Sequence, residues 1–287
     1  MTPLLSLRST LLFCHCEAQR AEAIYTDPPG QIWREGVRGR GKVCSYVLNY
    51  APDSAYNAAR MNKGKVSIIL PALNEAGTIG RVIDEIPTQA LEQAGYSIEV
   101  LVVDNSSTDQ TAQIAQEKGA KVITEPRRGK GRAVRTAFEQ VRADFVFMLD
   151  SDYTYPATYI PEMLKLLNQR YSVVIGSRLK GQREKGAISR LNIIGNHLLT
   201  MMANTLYRTR ISDLCTGYWG FRGEVIPGLN LSAEGFNLEA ELFSQVAKKG
   251  YRIGEVPITY RRRSSTSKLS SIKAGLSIGR TLIAARF

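Results

Sequence analysis

The sequence predicts an α/β protein with a doubly wound, mostly parallel sheet and helices on both of its faces. Short apolar runs typical of buried strands alternate with amphipathic segments typical of helices, and short links join them. Carboxylate and amide side chains follow several of these strands. In a parallel sheet the carboxyl ends of the strands share one edge, where open α/β sheets bind their ligands.

The regular pattern begins at Val66 and runs to about residue 176. The predicted strands are VSIIL (66–70), IEVLVV (98–103), KVIT (121–124), FVFML (145–149) and SVVIG (172–176). Between them, apolar residues at helical spacing or helix-capping residues predict helices. These helices cover 79–86, a segment capped by Thr108 or Asp109 that ends near Gly119, about 132–142, and 160–167.

Residues 1–62 lack this periodicity and contain Pro28-Pro29 and a GVRGRG run. They are predicted to form a poorly ordered N-terminal extension. The alternative is that Met61 is the true start of the protein. The remaining chain then consists of one domain at 63–270 and a basic amphipathic tail at 271–287.

The charge is unevenly distributed. The net charge is +12, and residues 250–287 carry eight Lys and Arg against one Glu, a net of +7. This excess favours an anionic partner, such as phosphates, nucleic acid or an anionic membrane surface. Four Cys at irregular spacing do not form a disulfide framework, so a reducing, cytoplasmic location is expected.

Two apolar segments suit a membrane surface. No apolar run approaches the roughly 20 residues of a membrane span. The segment 191–206 places Leu191, Ile194, Leu198 and Met201 on one side of a predicted helix. This helix either lies on the membrane or packs on the sheet, and the first is favoured. The basic tail is a second candidate, so we expect a peripheral protein at the cytoplasmic face of the membrane.

The chemistry centres on Asp150 and Asp152, which follow the apolar run 145–149. Two carboxylates at i and i+2 can share Mg²⁺ or Mn²⁺ and leave room for substrate phosphates. The alternative is a solvated turn, which is common after a strand. Neither a G-x-x-x-x-G-K-[ST] loop nor a G-x-G-x-x-G after the first strand is present, which argues against ATPase and dinucleotide-binding functions.

Five motifs in register carry a family resemblance: PALNEAGTI, VVDNSSTD, RGKGRAV, MLDSDYTYP and VIGSR. In this order and spacing, the chain resembles the family 2 inverting glycosyltransferases over about residues 64–270. The resemblance implies a GT-A fold, the fold of nucleotide-diphospho-sugar transferases. Within the family the chain is most similar to polyprenyl-phosphate sugar synthases, such as dolichyl-phosphate mannose or glucose synthase.

The resemblance implies a site for a UDP- or GDP-sugar. By their positions in the family's motifs, the expected donor-binding residues are Pro71, Asn74, Glu75, Asp104, Lys130 and Asp150. Asp150 and Asp152 are implied to hold Mg²⁺ or Mn²⁺. The chain departs from the family pattern at Asn105, where a second Asp is frequent, and at Tyr153–Tyr155, where mannose-type synthases carry a Gln.

The resemblance also implies residues for catalysis and for the acceptor. Asp152, Arg178 and Glu239 are the candidates for catalysis, and Arg178, Arg262 and Lys268 are the candidates for holding the acceptor phosphate. Asp213 and Thr216-Gly217 fit the family's D-x-x-[ST]-G-[FY] motif. The motif R-x-x-G-x-S-K has Ser265 in place of its Gly.

The resemblance implies transfer of a sugar, with inversion, from a nucleotide-diphospho-sugar to a polyprenyl phosphate. One alternative is a transferase that acts on a glycan or another hydroxyl acceptor, with Glu239 or Asp213 as its base. A nucleotidyltransferase and a non-catalytic module that binds an anionic ligand are further alternatives. Nucleic acid is not an expected partner, because no helix-turn-helix, zinc-finger or RNP pattern is present.

Overall fold

The computed structural model describes residues 63–235, 237–263 and 271–287, and within the last range the side chains from Lys273 onward. The described residues belong to one compact unit. The expectations for the 1–62 extension and for Lys268 lie outside the described residues.

The described strands form a seven-stranded sheet. The strands are β1 (Gly64–Ala72), β2 (Tyr96–Asp104), β3 (Lys121–Thr124), β4 (Phe145–Met148), β5 (Val173–Ser177), β6 (Trp219–Arg222) and β7 (Ile253–Pro257).

At least one helix separates each pair of strands that are consecutive in the chain. The helices are α1 (Ile79–Glu85), α2 (Thr88–Gln93), α3 (Thr111–Glu117), α4 (Lys130–Gln140), α5 (Ile160–Gln169), α6 (Arg190–Tyr207), α7 (Leu238–Lys248) and α8 (Ser271–Arg286).

The strand order is β3-β2-β1-β4-β6-β5-β7, and β6 is antiparallel to both of its neighbours while the other pairs are parallel. The chain winds outward from β1 to β3 and then returns to place β4 on the other side of β1. The sheet therefore has a topological switch point between β1 and β4. An open α/β sheet leaves a crevice for ligands at such a point, outside the carboxyl ends of the two strands.

The sheet is buried on both faces, as predicted. Alternate residues of β4 enter different cores, with Val146 and Met148 on one face and Phe145 and Phe147 on the other. The first core contains α4, α6, α7 and α8, and the second contains α1, α3 and α5. This arrangement confirms the doubly wound fold.

The sequence prediction missed β6, β7 and α2, and it placed the end of the fourth strand at Leu149 instead of Met148. In β6, Gly220 lies opposite Phe147 of β4, and a Cβ at Gly220 would come within 2.7 Å of the phenyl ring. Trp219 and Phe221 fill the core on either side of this glycine. A short strand with a central glycine has little periodicity, so pairing with β4 and β5 decides its conformation.

The predicted apolar side of α6 faces outward. Leu191, Ile194, Leu198 and Met201 are between 57% and 61% exposed, whereas Ala203 and Tyr207 are buried. The helix therefore packs on the rest of the protein through the face that carries Ala203 and Tyr207. The face that carries the large apolar residues is exposed.

Helix α8 packs against α6 and α7. It buries Ile278 and Leu282 in the core and leaves Leu276 and Ile283 exposed. The Tyr207 hydroxyl donates to the Leu282 carbonyl at 2.8 Å, which ties α6 to α8. Among the described residues, none of the helices has the length and apolarity needed to cross a membrane.

We expect Phe147→Ala to lower the free energy of unfolding by about 3–5 kcal/mol, because it removes a fully buried ring and leaves a cavity against Gly220. Leu191→Ala removes an exposed side chain and should change it by less than about 0.5 kcal/mol. Urea denaturation of both variants measures the difference. Equal losses would contradict the assignment of Phe147 to the core.

Candidate active site

Hydrogen bonds between loops draw together the carboxyl ends of β1 and β4. The Ser151 hydroxyl donates to the Pro71 carbonyl at 2.8 Å, and the Thr78 hydroxyl donates to the Ser151 carbonyl at 2.8 Å. The loop after β2 joins them, because the Thr108 N–H donates to the Asn74 side-chain oxygen at 2.8 Å. Pro71 and Asn74 therefore order the rim through these bonds.

Asp104, at the end of β2, has one carboxylate oxygen that lacks a hydrogen-bond partner in the described structure. The residue is 7% exposed, and its Oδ2 accepts a hydrogen bond from the Ser107 N–H at 3.3 Å. Its Oδ1 is buried and has no hydrogen-bond partner within the described structure. A buried acceptor of this kind calls for a donor, such as the N–H group of a nucleobase.

Asn105 has a different role from Asp104. Its amide nitrogen donates to the carbonyls of Glu125 and Arg127, and its oxygen accepts from the Gly129 N–H at 2.6 Å. The side chain thus holds the loop before α4. Where the family frequently has a second Asp, this chain has a residue that orders the basic loop.

Lys130 lies between two carboxylates. Its Nζ is 2.6 Å from Asp150 Oδ1 and 2.8 Å from Glu239 Oε1. Burial on its own lowers the pKa of Lys130, but the charges of Asp150 and Glu239 outweigh it and hold this pKa above its usual value. Lys130 therefore stays protonated and joins the first turn of α4 to the first turn of α7.

The glycines of the RGKG motif explain how Lys130 reaches this position. Gly129 has a φ of 142°, and a Cβ there would lie 2.2 Å from the Glu234 carbonyl oxygen. At Gly131 a Cβ would lie 2.0 Å from the Ala233 carbonyl oxygen. Only glycine lets the start of α4 pack this closely on the backbone before α7.

Asp150 and Asp152 lie together at the end of β4. Asp152 Oδ1 accepts from the Thr154 N–H at 3.1 Å and from its hydroxyl at 2.5 Å. Burial and the neighbouring charge of Asp150 raise the pKa of Asp152, and the hydrogen bonds from Thr154 offset only part of this rise. The negative charge of the pair therefore favours a bound cation.

Gly217 gives Asp150 its space. A Cβ at this position would lie 2.6 Å from Asp150 Oδ2. The Gly217 N–H donates to the hydroxyl of the buried Tyr155 at 2.7 Å. The glycine of the D-x-x-[ST]-G-[FY] motif thus allows the backbone to approach the Asp150 carboxylate.

Arg263 reaches the acidic rim, which sequence reasoning missed. Its Nη2 is 2.7 Å from Glu75 Oε1, and its Nε is 3.3 Å from Asp152 Oδ2. Three consecutive Arg gave no reason to single out this one. In an extended chain, neighbouring side chains point to opposite sides, and here Arg263 points inward while Arg262 is exposed.

The Asp pair fits a divalent cation with oxygen ligands. Within the described part of the chain, however, no group of three or more His, Cys, Asp or Glu converges as a complete metal site. Mg²⁺ commonly takes only one or two carboxylates and fills its remaining positions with water and substrate phosphates. Asp150 and Asp152 would therefore be sufficient as the protein ligands of such a site.

Arg178 forms a buried ion pair. Its Nε and Nη2 donate to the two oxygens of Asp213 at 2.8 and 2.7 Å, and Nη2 also donates to the Cys215 carbonyl. The Asn196 amide donates to Asp213 Oδ1 at 2.6 Å. Although burial raises the pKa of Asp213, Arg178 and Asn196 bring it below its usual value. This network ties α6 to the loop after β5.

The structure therefore brings together most of the predicted donor residues, and the acceptor residues are more scattered. Glu239 contacts Lys130, and Arg178 is paired with Asp213. Arg262 is exposed, and its backbone N–H donates to Glu184 at 2.7 Å. The catalytic and acceptor roles of these residues stay predictions.

Comparison with known proteins identifies the family. Residues 67–227 match the family described as Glycosyl transferase family 2. The chain is a family 2 glycosyltransferase. This family 2 glycosyltransferase is also 37% identical over 213 residues to the glycosyltransferase AglJ of Haloferax volcanii. The alignment covers 73% of this chain and 68% of AglJ.

Two further relatives are named for dolichyl or dolichol phosphate. A dolichyl-phosphate hexose transferase of Haloferax volcanii is 35% identical over 220 residues, with 76% of this chain and 92% of the relative covered. A dolichol-phosphate mannosyltransferase of Pyrococcus furiosus is 29% identical over 207 residues, with 70% of this chain and 57% of the relative covered. The family 2 glycosyltransferase thus resembles enzymes that carry dolichyl phosphate in their names.

Solved structures agree on the fold. Glucosyl-3-phosphoglycerate synthase from Mycobacterium tuberculosis superposes with a TM-score of 0.63 at 22% identity, covering 84% of this chain and 85% of that one. The same enzyme with Mn²⁺ and UDP-glucose superposes with a TM-score of 0.61 at 22% identity, covering 84% of each chain. These likenesses confirm the GT-A fold of the family 2 glycosyltransferase.

We expect Asp213→Asn to destabilise the protein by about 3–5 kcal/mol, because it leaves the Arg178 guanidinium buried without a counter-charge. Glu224→Gln is the control, since Glu224 is exposed and lies 3.9 Å from Arg222. That change should cost at most about 1 kcal/mol. Thermal and urea denaturation test both variants, and a small effect of Asp213→Asn would show that Arg178 is well solvated.

Proposed function

We propose that this enzyme transfers a sugar from a UDP- or GDP-sugar to the phosphate of a polyprenyl lipid such as dolichyl phosphate, with inversion. Mg²⁺ or Mn²⁺ assists the reaction at Asp150 and Asp152. Support comes from the family, from the relatives named for dolichyl phosphate, and from a rim on which Asp150 and Asp152 are paired with Lys130 and Arg263.

One observation favours a phosphate acceptor over a hydroxyl acceptor: both candidate bases are held by cations. Asp213 is fully buried and is bound by Arg178 and Asn196, so it is a poor proton acceptor. Glu239 is paired with Lys130. A phosphomonoester has its second pKa near 6, so its oxygen is largely ionised at pH 7 and attacks without a base.

The donor would lie along the carboxyl ends of β1, β2 and β4. In this arrangement Asp104 would accept a hydrogen bond from the nucleobase through its unpaired Oδ1. The loop that carries Pro71, Asn74 and Glu75 would flank the base and ribose. Lys130 lies beside Asp150, where it can interact with the diphosphate. In this proposal Glu239 positions Lys130 instead of acting as a base.

A metal at Asp150 and Asp152 would stabilise the negative charge that develops on the leaving nucleoside diphosphate. Positioning and electrostatics then supply most of the catalysis. Arg262 and Lys268 are proposed to hold the acceptor phosphate, because arginine and lysine suit phosphate recognition. Arg178 is assigned to ordering the 213–217 loop, since its guanidinium is bound to Asp213.

We also propose that α6 and α8 rest on an anionic membrane surface, with the enzyme peripheral at the cytoplasmic face. The exposed apolar residues of α6 lie beside the exposed Arg190, and α8 combines the exposed Leu276 with Lys273 and Arg280. Apolar side chains beside basic ones are typical of helices that lie in the interface of anionic membranes. Such docking would bring the enzyme to a lipid acceptor.

The first test is transfer of labelled sugar from UDP-glucose, GDP-mannose and related donors to a polyprenyl phosphate with Mg²⁺ or Mn²⁺. We expect label in the organic phase that depends on metal and falls at least about 100-fold in Asp152→Asn, because the leaving group loses its electrostatic partner. Asp84→Asn, which changes an exposed carboxylate paired with Lys118, should keep wild-type activity.

Other outcomes separate the alternatives. Label on an oligosaccharide, with none in the lipid, would favour the hydroxyl-acceptor transferase. Release of pyrophosphate from a nucleoside triphosphate would favour the nucleotidyltransferase. Either result would refute the proposed polyprenyl-phosphate acceptor.

The membrane proposal predicts that Ile194→Ser with Leu198→Ser weakens binding to vesicles of phosphatidylcholine and phosphatidylglycerol. Burying each apolar side chain contributes about 1.5–3 kcal/mol, so the double variant should bind more than about tenfold more weakly. Cosedimentation measures this, with the exposed Gln116→Ser as control. Unchanged binding by the double variant would contradict the role of α6.

A further inference from the structure

The guanidinium of Arg263 bridges two carboxylates from different loops. Its Nη2 lies 2.7 Å from Glu75 Oε1, and its Nε lies 3.3 Å from Asp152 Oδ2. Glu75 follows β1 and Asp152 follows β4, so this one cation spans the crevice between them. The side chain of Arg263 is 29% exposed, while those of Glu75 and Asp152 are 12% and 9% exposed.

The two contacts differ in a way that matters for a metal. Asp152 Oδ1 is already bound by the Thr154 N–H and hydroxyl, so Oδ2 is the oxygen that faces a further cation. Arg263 makes its longer contact with this oxygen and its shorter one with Glu75. A divalent ion carries twice the charge and approaches an oxygen to about 2.0–2.2 Å, so it competes well for Oδ2.

Neighbouring contacts fix the backbone from which Arg263 extends. The Arg261 N–H donates to the Thr154 carbonyl at 3.0 Å, and its guanidinium pairs with Glu85. The Arg261 guanidinium carbon also lies 4.2 Å from the centre of the Tyr153 ring, next to Asp152 in the chain. With this anchor in place, the Arg263 side chain can leave Asp152 while its backbone stays at the rim.

We propose that Arg263 is a built-in counter-ion of the donor site. It balances Asp152 and Glu75 until a divalent cation takes Asp152, and the displaced guanidinium then binds the donor diphosphate. The planar fork of arginine suits phosphate oxygens. The Arg263 guanidinium therefore opposes binding of a metal ion without nucleotide, but it favours binding of the metal and the nucleotide together. This inference rests on the proposed function, and it makes Arg263 the residue that couples the two ligands.

The test measures Mn²⁺ binding to the full-length protein by the EPR signal of the free ion, with and without UDP or GDP. In Arg263→Gln we expect Mn²⁺ alone to bind about tenfold more tightly than in wild type, because a competing positive charge is gone. The gain in Mn²⁺ affinity on adding nucleotide should be smaller in Arg263→Gln, since reciprocal coupling requires the guanidinium.

Two controls separate this role from a structural one. Arg262→Gln removes the same charge from the adjacent, exposed side chain and should leave the Mn²⁺ dissociation constant at its wild-type value. Arg263→Lys keeps the charge and loses the fork, so it should still oppose Mn²⁺ while restoring little of the coupling to nucleotide.

Unchanged or weaker Mn²⁺ binding in Arg263→Gln would overturn the inference, and so would an equal gain in Arg262→Gln. If the wild-type protein still transfers sugar to lipid when the Mn²⁺-binding results contradict the inference, the proposed function stands. Tighter Mn²⁺ binding in Arg263→Gln, with no sugar transferred by wild type, would support the counter-ion and refute the proposed acceptor. If neither protein binds Mn²⁺ with nucleotide present, the counter-ion role is refuted.

Discussion

Carboxylates concentrated at one edge of the sheet must be balanced by positive charge, and the surrounding structure depends on this balance. Lys130 joins Asp150 to Glu239, and Arg263 joins Asp152 to Glu75. Each cation connects segments far apart in the chain. A buried charge without a partner costs several kcal/mol, so these pairs align the loops as they neutralise them.

The fold creates this concentration of charge through its topology. Because β1 and β4 are parallel neighbours at the point where the winding reverses, the residues that follow them open onto the same crevice. The hydrogen bonds of Ser151 and Thr78 then hold the two loops together. A nucleotide-sugar placed there would meet groups that are already ordered, which reduces the entropy lost on binding.

A second buried network links this site to the exposed apolar helix. Asn196 and Thr200 lie on the inner side of α6, and both hold the 213–217 loop through hydrogen bonds to Asp213, Leu214 and Cys215. The same loop carries Gly217 against Asp150. The helix proposed to meet the membrane and the carboxylate proposed to meet the metal are thus connected through a few buried polar contacts.

The sequence by itself determined the doubly wound sheet, the acidic strand ends and the family, because short-range periodicity and motif spacing carry that information. It also identified the apolar side of α6 at Leu191–Met201. Only the tertiary structure decided that β6 is a strand, that Asp213 binds Arg178, and that Arg263 enters the rim. Each of these outcomes depends on contacts between residues that are distant in the chain. Short-range sequence patterns carry no information about such contacts, which are determined by packing and by the pairing of buried charges.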